Sequence, residues 1–300
     1  MAWFDRFRKQ RASGGPLPAI PATPRWAWMG DRRHTASAPY VLPKDEQEVS
    51  RLDFQHFMLR YVFHGDYVAP IGSPTSILDV GCGTGRWPIE MATQFPGANV
   101  IGLDLHDPDE ERKDGQRTNQ PENYAFVSGN VLDGLPFIDD GFDFVHMRGL
   151  AAALPANRWQ DVAGELARVA SHGGWVEIIE DDFVYGGPAL ELLAEWAVDL
   201  CARRDIEFLL ARKIGAFLEQ AGLSSVTSRT VDMPIGPHGG RLGVMAQTDY
   251  LSAMGALKSI IPALGITTEQ AYVGALHAAQ DEIERGQCVW PLYVAFGQKI

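Results

Sequence analysis

The chain has 300 residues, 26 Lys and Arg against 38 Asp and Glu, and a formal net charge of −12. That length buries a sizeable core in one or two domains, and the acidic balance opposes a nucleic-acid substrate, which needs a basic face. No apolar run reaches the length of a membrane-spanning helix, charge interrupts any secretory pattern from Asp5 onward, and three cysteines without a C-x-x-C pair oppose a zinc site, so a reduced, cytoplasmic protein with no metal is expected.

Charge is spread unevenly. Residues 1–34 carry seven Arg or Lys against Asp5 and Asp31, a balance of +5, which leaves −17 for the remainder. Pro16, Pro18, Pro21 and Pro24 make residues 13–24 an extended linker. Residues 1–37 therefore read as a basic, Pro-containing flexible tail. A competing reading makes it a membrane-surface anchor with Trp3, Phe4 and Phe7 on its apolar side. Residues 38–300 form the folded domain, beginning with an N-terminal capping helix within 38–70. That helix starts near Pro43, with acids in its first turn and Leu52, Gln55, His56, Leu59 and Phe63 on one broad face.

Residues 77–85 (ILDVGCGTG) read as a buried strand that breaks into a glycine turn and opens a helix. Glycine lets the backbone approach a ligand, and the helix start offers unpaired N–H groups and the positive end of its dipole. A dinucleotide fingerprint G-x-G-x-x-G would place its third glycine where Arg86 stands. The pattern present is Asp79, Gly81, Gly83 and Gly85. A second apolar strand, residues 99–105, ends near Asp104, about twenty residues on, where doubly wound folds place an acid for ribose hydroxyls. A carboxylate suits a vicinal diol because it accepts two hydrogen bonds in a fork. Cys82, inside the turn, reads as a small buried filler.

Residues 126–137 (FVSGNVLDGLPF) follow a third strand. A fourth strand is predicted over 141–148 and a fifth over 174–180. Between them residues 158–170 have helical spacing, with Trp159, Val162, Leu166 and Val169 on one face. Helices are predicted over 188–203 and 211–221, a sixth strand over 225–231 and a seventh over 291–296. Helices over 247–261 and 267–285 occupy the stretch between these last strands, the second opened by a Thr-Thr-Glu-Gln cap signal.

The run ILDVGCGTG resembles motif I of the class I S-adenosylmethionine-dependent methyltransferases, and the likeness extends over residues 76–180. The stretch Tyr40, Leu42, Pro43, Glu48, Arg51, Leu52, Asp53, Gln55, His56 resembles the region before motif I in the LaeA-like (TAM-domain) group, and the VHMR run at 145–148 adds to it. The resemblance implies a Rossmann-like seven-stranded α/β sheet, mostly parallel with strand seven antiparallel, and S-adenosylmethionine as cofactor. The cofactor-binding core then spans 71–181. Asp79, Gly81, Cys82, Gly83, Gly85, Asp104, Leu105, Asn130, Val131 and His146 are its expected contacts. Asn130 stands where the family has an adenine-binding acid; its amide oxygen can take that hydrogen bond, with Asp133 as the alternative. Tyr40, Arg51 and Gln55 are candidates for the cofactor's carboxylate or the substrate. Residues 182–210 and 239–289 are expected to form a helical lid, with Trp290 and Met245 among its lining groups.

Methyl transfer needs chiefly positioning and exclusion of water. An acceptor that loses a proton also needs a base. Catalytic candidates are His146, favoured for its imidazole, with Glu180, Tyr185 and His56; His106 and Asp181 also lie at strand ends. For His146 and His56 a purely structural role competes. The expected reaction is O-, N- or C-methylation of a small-molecule acceptor in secondary metabolism. The alternatives are a non-catalytic or protein-directed S-adenosylmethionine-binding regulator and a dinucleotide-dependent oxidoreductase. No nucleic acid or stable membrane insertion is expected as a partner; a homodimer is left open.

Overall fold

The computed structural model describes residues 26–29, 32–35, 39–107 and 120–300. The linker and the apolar anchor residues read in the first 24 positions lie outside these. Inside the stretch read as tail, β1 (Trp26–Met29) and β2 (Arg32–Thr35) pair antiparallel. This hairpin is stitched to the segment ahead of the first helix. Lys44 N donates to Arg33 O at 2.6 Å, and Arg33 Nε returns a bond to Lys44 O at 2.7 Å. The carboxylate of Asp45 pairs with Arg32 and also caps α1 (Glu46–Phe63) by accepting from Glu48 N.

The main sheet runs in chain order β3 (Ser76–Val80), β4 (Asn99–Asp104), β5 (Tyr124–Ser128), β6 (Phe142–Arg148), β7 (Ala170–Asp181), β8 (Ser224–Ile235) and β9 (Cys288–Gln298). Its spatial order is β5-β4-β3-β6-β7-β9-β8. The strands from β5 to β7 are parallel, and β9 is antiparallel to both β7 and β8. This is the expected seven-stranded Rossmann-like sheet. β3 is buried along its whole length, which explains its unbroken apolar run: a central parallel strand is covered on both faces. The order of strands reverses between β3 and β6, and ligands of such folds bind beyond the strand ends at that point.

Three cores result. On one face α3 (Trp159–Val169) presents Trp159, Val162, Leu166 and Val169 to the sheet, the spacing read from the sequence. On the other, α2 (Arg86–Gln94) packs Trp87 and Met91 against Ile77 and Phe144. The third core gathers α1, α4 (Pro188–Ala202), α6 (Gly240–Ala256), α7 (Ile260–Ala263) and α8 (Glu269–Arg285) around Trp290 and Leu292 of β9. The short α5 (Ile214–Gln220) belongs to the first core. Each fully buried aliphatic side chain in these cores contributes about 1.5–3 kcal/mol.

Two boundaries differ from the sequence reading for a physical reason. The helix expected from residue 247 begins at Gly240, and its glycines are packing devices: a Cβ on Gly243 would lie 2.0 Å from the carbonyl oxygen of Gly236. β7, β8 and β9 each extend past the expected strands because β9 is a long central partner that pairs both neighbours. The cap signal at Thr268 is used as read, with its hydroxyl accepting from Ala271 N at 3.2 Å.

Candidate active site

The glycine turn is pinned to β4. Gly81 N and Cys82 N both donate to Leu103 O, and Gly83 N donates to Asp104 Oδ2 at 2.9 Å. Gly81 (φ 75°) and Gly83 (φ 54°) sit in the left-handed region. A Cβ on Gly81 would meet Leu150 at 2.8 Å, whereas one on Gly83 would project into open space. Gly83 is on the wall of a cavity at the switch point. Gly81, Cys82, Gly83, Asp104, Leu105, Asn130 and Val131 line it, together with Asp79, His146, Tyr40, Gln55 and His56. Gly85 does not; it is the N-cap of α2, with φ 74°. Asn130 Oδ1 already accepts from Leu132 N at 3.1 Å, capping a short 3-10 turn, while Asp133 is exposed and off the cavity wall. Burial and the neighbouring Asp104 and Asp79 push the Cys82 thiol far above its ordinary range, consistent with an inert filler.

Asp79, His146 and Glu177 are register partners on three adjacent strands, β3, β6 and β7. His146 Nδ1 donates to Asp79 Oδ1 at 2.8 Å, and its Nε2 stands 3.9 Å from Glu177 Oε1. Its ring stacks on Trp87 at 3.9 Å and 6°. Asp79 thus fixes the ring through Nδ1, while Nε2 has no hydrogen-bond partner among the described residues and has Glu177 as its nearest carboxylate. His56 is unsuited to the base role expected for it. Arginine only donates, so the contact of 3.1 Å from Arg148 Nη2 makes His56 Nδ1 the acceptor and leaves the proton on Nε2. Burial and the nearby Arg148, Arg60 and Arg86 hold the His56 pKa down at about 2. His56, Asp66 and Glu90 do bring ligand atoms within 4.8 Å of one another. Arg60 pairs with both acids and Arg148 with the imidazole, so guanidinium groups already take the place a cation would fill.

Across the site, α1 and α6 are clamped. Arg51 Nη1 donates to Asp249 Oδ1 at 2.8 Å and Gln55 Nε2 to Asp249 Oδ2 at 2.9 Å. Arg51 Nε and Nη2 both bind Glu48, which also accepts from Tyr40 Oη. Each nitrogen of the Arg51 guanidinium thus has a partner inside the protein, and Arg51 lies on the wall of the neighbouring cavity described next, not on that of the cofactor cavity, so its place is on the substrate side. Gln55 and Tyr40 keep their place on the wall. Two further cavities adjoin here. A small one of about 310 Å³ lies among Arg148, Gly149, Glu180 and Asp181. A larger one of about 810 Å³ shares Tyr40, Leu52, Gln55 and Gly149 with the cofactor cavity and extends to Phe183, Phe208, Tyr250 and Trp290.

Glu180 faces the small cavity, but its two oxygens accept from Leu150 N at 2.9 Å and Ala151 N at 3.0 Å. Burial raises its pKa to about 8 despite those bonds. Tyr185 is not brought to the site: it lies outside these cavities, partly exposed, its hydroxyl tied to Asp182 and Arg212. His106 is buried away from the cavity walls. Of the lid residues named from sequence, Trp290 lines the larger cavity; Met245 does not, and Met254, one helical face further on, takes that place.

Several site residues escaped the sequence reading. Lys44 lines the cofactor cavity 3.8 Å from Asp104. Arg86, noted only because it spoils the dinucleotide pattern, carries a buried Nε with no partner among the described residues. Trp87, Arg148, Asp249 and Tyr250 also belong here. Arg86 and Trp87 directly follow the glycine turn, a signal that was present; the pairing of Asp249 with Arg51, 198 positions apart, left none.

The chain carries a methyltransferase domain, matched by that family's model over residues 77–174. It is an S-adenosylmethionine-dependent methyltransferase, and it resembles the LaeA-like group. It is 29% identical to methyltransferase str3 of Strobilurus tenacellus over 74% of this chain and 82% of that protein. It is 31% identical to the secondary metabolism regulator laeA of Aspergillus fumigatus over 66% of this chain, spanning 54% of that relative's length. Geranyl diphosphate C-methyltransferase of Streptomyces coelicolor superposes with a TM-score of 0.46 at 16% identity, covering 84% of this chain and 79% of that one. Among the described residues no helix is long and apolar enough to cross a membrane.

Proposed function

We propose that the enzyme methylates a small-molecule acceptor of secondary metabolism, held in the 810 Å³ cavity next to the cofactor cradle. The carrying observation is the junction itself: Tyr40, Leu52, Gln55 and Gly149 belong to both cavities. S-adenosylmethionine, when bound, supplies an electrophilic sulfonium methyl group. The glycine turn fits such a ligand, because the position a Cβ on Gly83 would take is empty. Asp104 keeps acceptor capacity for ribose hydroxyls beyond its bond to Gly83 N. The unpartnered Arg86 Nε is a charged donor suited to a carboxylate. The chain's part in catalysis is to align the two molecules and keep water out, using α1 and α6 as the roof.

Calorimetry with S-adenosylmethionine and with NAD tests the cofactor assignment; the first is expected to bind and the second not. A screen for S-adenosylhomocysteine release over phenols, amines, keto acids and intact proteins tests the acceptor class. Turnover on proteins alone, or tight cofactor binding without any turnover, would replace the small-molecule reading by a protein-directed or regulatory one.

A further inference from the structure

The cavity beyond the cofactor cradle has a distinctive charge inventory. Asp182 is saturated by Arg212 Nε at 2.7 Å, Tyr293 Oη at 2.9 Å, Tyr185 Oη at 3.1 Å and Phe183 N at 2.7 Å. Asp249 is held by Arg51 and Gln55, and Arg51 lies between Asp249 and Glu48. Asp181 differs from both. It ends β7, lines the small and the larger cavity, and among the described residues its carboxyl bonds no other side chain, its own backbone N–H being the donor beside it. Tyr250, on α6, lines the same larger cavity, is only 3% exposed, and its hydroxyl has no partner among the described residues. Its ring packs edge-on to Trp290 at 5.8 Å.

This arrangement discriminates between acceptor charges. An anionic acceptor in the larger cavity would find Arg51, which already balances two carboxylates, while Arg148 lies on the small cavity and donates to His56. A neutral acceptor would leave the Asp181 carboxylate without a counter-charge in a poorly solvated pocket, which is costly. An ammonium group neutralises it, and the aromatic wall of Tyr40, Phe183, Phe208 and Trp290 is suited to a cation with an apolar body.

We propose that this cavity is an amine site: a small, largely apolar molecule with a primary or secondary ammonium group binds there, Asp181 holds that group and takes its proton, and the Tyr250 hydroxyl supplies a second hydrogen bond. The proposal rests on the methyl-transfer reading and names its substrate class. The ammonium proton passes to the Asp181 carboxylate. The freed nitrogen lone pair forms the new N–C bond as the S–C bond of the sulfonium breaks, its electron pair returning to sulfur. The methylated nitrogen is already a secondary ammonium and leaves in that form, and Asp181 passes the proton it took to solvent, so one proton is released per primary ammonium methylated.

The same geometry gives a pH dependence. The groups facing Asp181 are Asp249 on α6, Arg51 on α1, Arg148 of β6, which shares the small cavity, and Glu180 and Asp182 on its own segment. Burial and Asp249 raise its pKa to about 7, with Arg51 pulling the other way. Amine affinity therefore rises as pH increases through about 7, since an alkylammonium keeps its charge to about pH 10.

The test is a calorimetric titration of the chain saturated with S-adenosylhomocysteine, using 2-phenylethylamine and 2-phenylethanol at about pH 6 and about pH 8. The amine is expected to bind at least about tenfold tighter than the alcohol at the higher pH, and the gap to narrow at the lower. Asp181→Asn is expected to abolish the preference, and Tyr250→Phe to weaken both probes about threefold. Affinity for S-adenosylhomocysteine, measured first, shows that each variant is folded. Equal binding of amine and alcohol by the unaltered chain, a reversed pH slope, or a preference that survives in Asp181→Asn overturns the amine site. If the unaltered chain binds S-adenosylhomocysteine but neither probe, the amine site alone fails. If it does not bind S-adenosylhomocysteine, the wider reading fails with it.

Discussion

The two halves of the active site are built in opposite ways. The cofactor half is made mostly from backbone at the ends of β3, β4 and β6: Gly81 N and Cys82 N on Leu103 O, and Gly83 N on the Asp104 carboxylate. Its parts lie close together in sequence, and one turn supplies most of the shape. The half proposed for the acceptor is made from side chains on α1, α6 and β9, joined by Arg51, Gln55, Glu48 and Asp249. A backbone cradle constrains its ligand through conformations that only glycine adopts easily. A side-chain enclosure can change its occupant by single substitutions while the sheet stays as it is. The difference teaches that this chain declares its cofactor locally and its acceptor only through long-range contacts.

Removing the clamp should have the largest effect on stability. Asp249→Ala leaves the buried Arg51 with Glu48 alone and frees the Gln55 amide, and about 3 kcal/mol of stability is expected to be lost in urea denaturation. S-adenosylmethionine affinity of the folded variant should fall by less than about tenfold, because the cradle does not depend on the clamp. A collapse of cofactor binding would show that the halves are one unit.

Gly83→Val attacks the other half. A β-branched side chain at φ 54° is strained, and its Cβ fills ligand space. S-adenosylmethionine affinity should drop about a hundredfold by calorimetry. Retained affinity would place the ligand elsewhere in the cavity.

The smallest effect concerns Glu180, at the seam between the halves. Its folded pKa of about 8 lies above the unfolded value, so its contribution to stability is complete below about pH 4 and is lost as pH rises through about 8. Glu180→Gln lacks this dependence. Thermal melts at about pH 5, 7 and 9 should therefore show the unaltered chain losing ground to the variant as pH rises. The opposite trend would mean that Glu180 is charged in the folded protein at neutral pH, with the backbone donors of Leu150 and Ala151 outweighing its burial.

Much of the fold was legible in the residues. The unbroken apolar run of β3 announces a covered parallel strand, and Trp159, Val162, Leu166 and Val169 announce the buried face of α3. The start of α6 was not, because Gly240 and Gly243 read as breakers until the backbone of Gly236 is seen against them. In the site, Asp79, Gly83 and Asp104 stand where the spacing put them. His146, His56, Arg51 and Tyr185 were chosen for their chemistry as isolated side chains. Their partners, Asp79 and Glu177, Arg148, Glu48 and Asp249, and Asp182 and Arg212, come from other segments and could not be read from the residues alone.

The sequence by itself determined the sheet and the cofactor cradle, because strand periodicity, positive-φ glycines and a carboxylate at a fixed spacing are local properties that need no distant partner. Only the tertiary structure decided which titratable groups are free. Residues as remote as Arg51 and Asp249 meet over the cavity and cancel each other, while the Asp181 carboxyl and the Tyr250 hydroxyl remain available at its wall. Availability depends on what each group already binds and how far it is desolvated, and both are fixed by contacts between segments far apart in the chain.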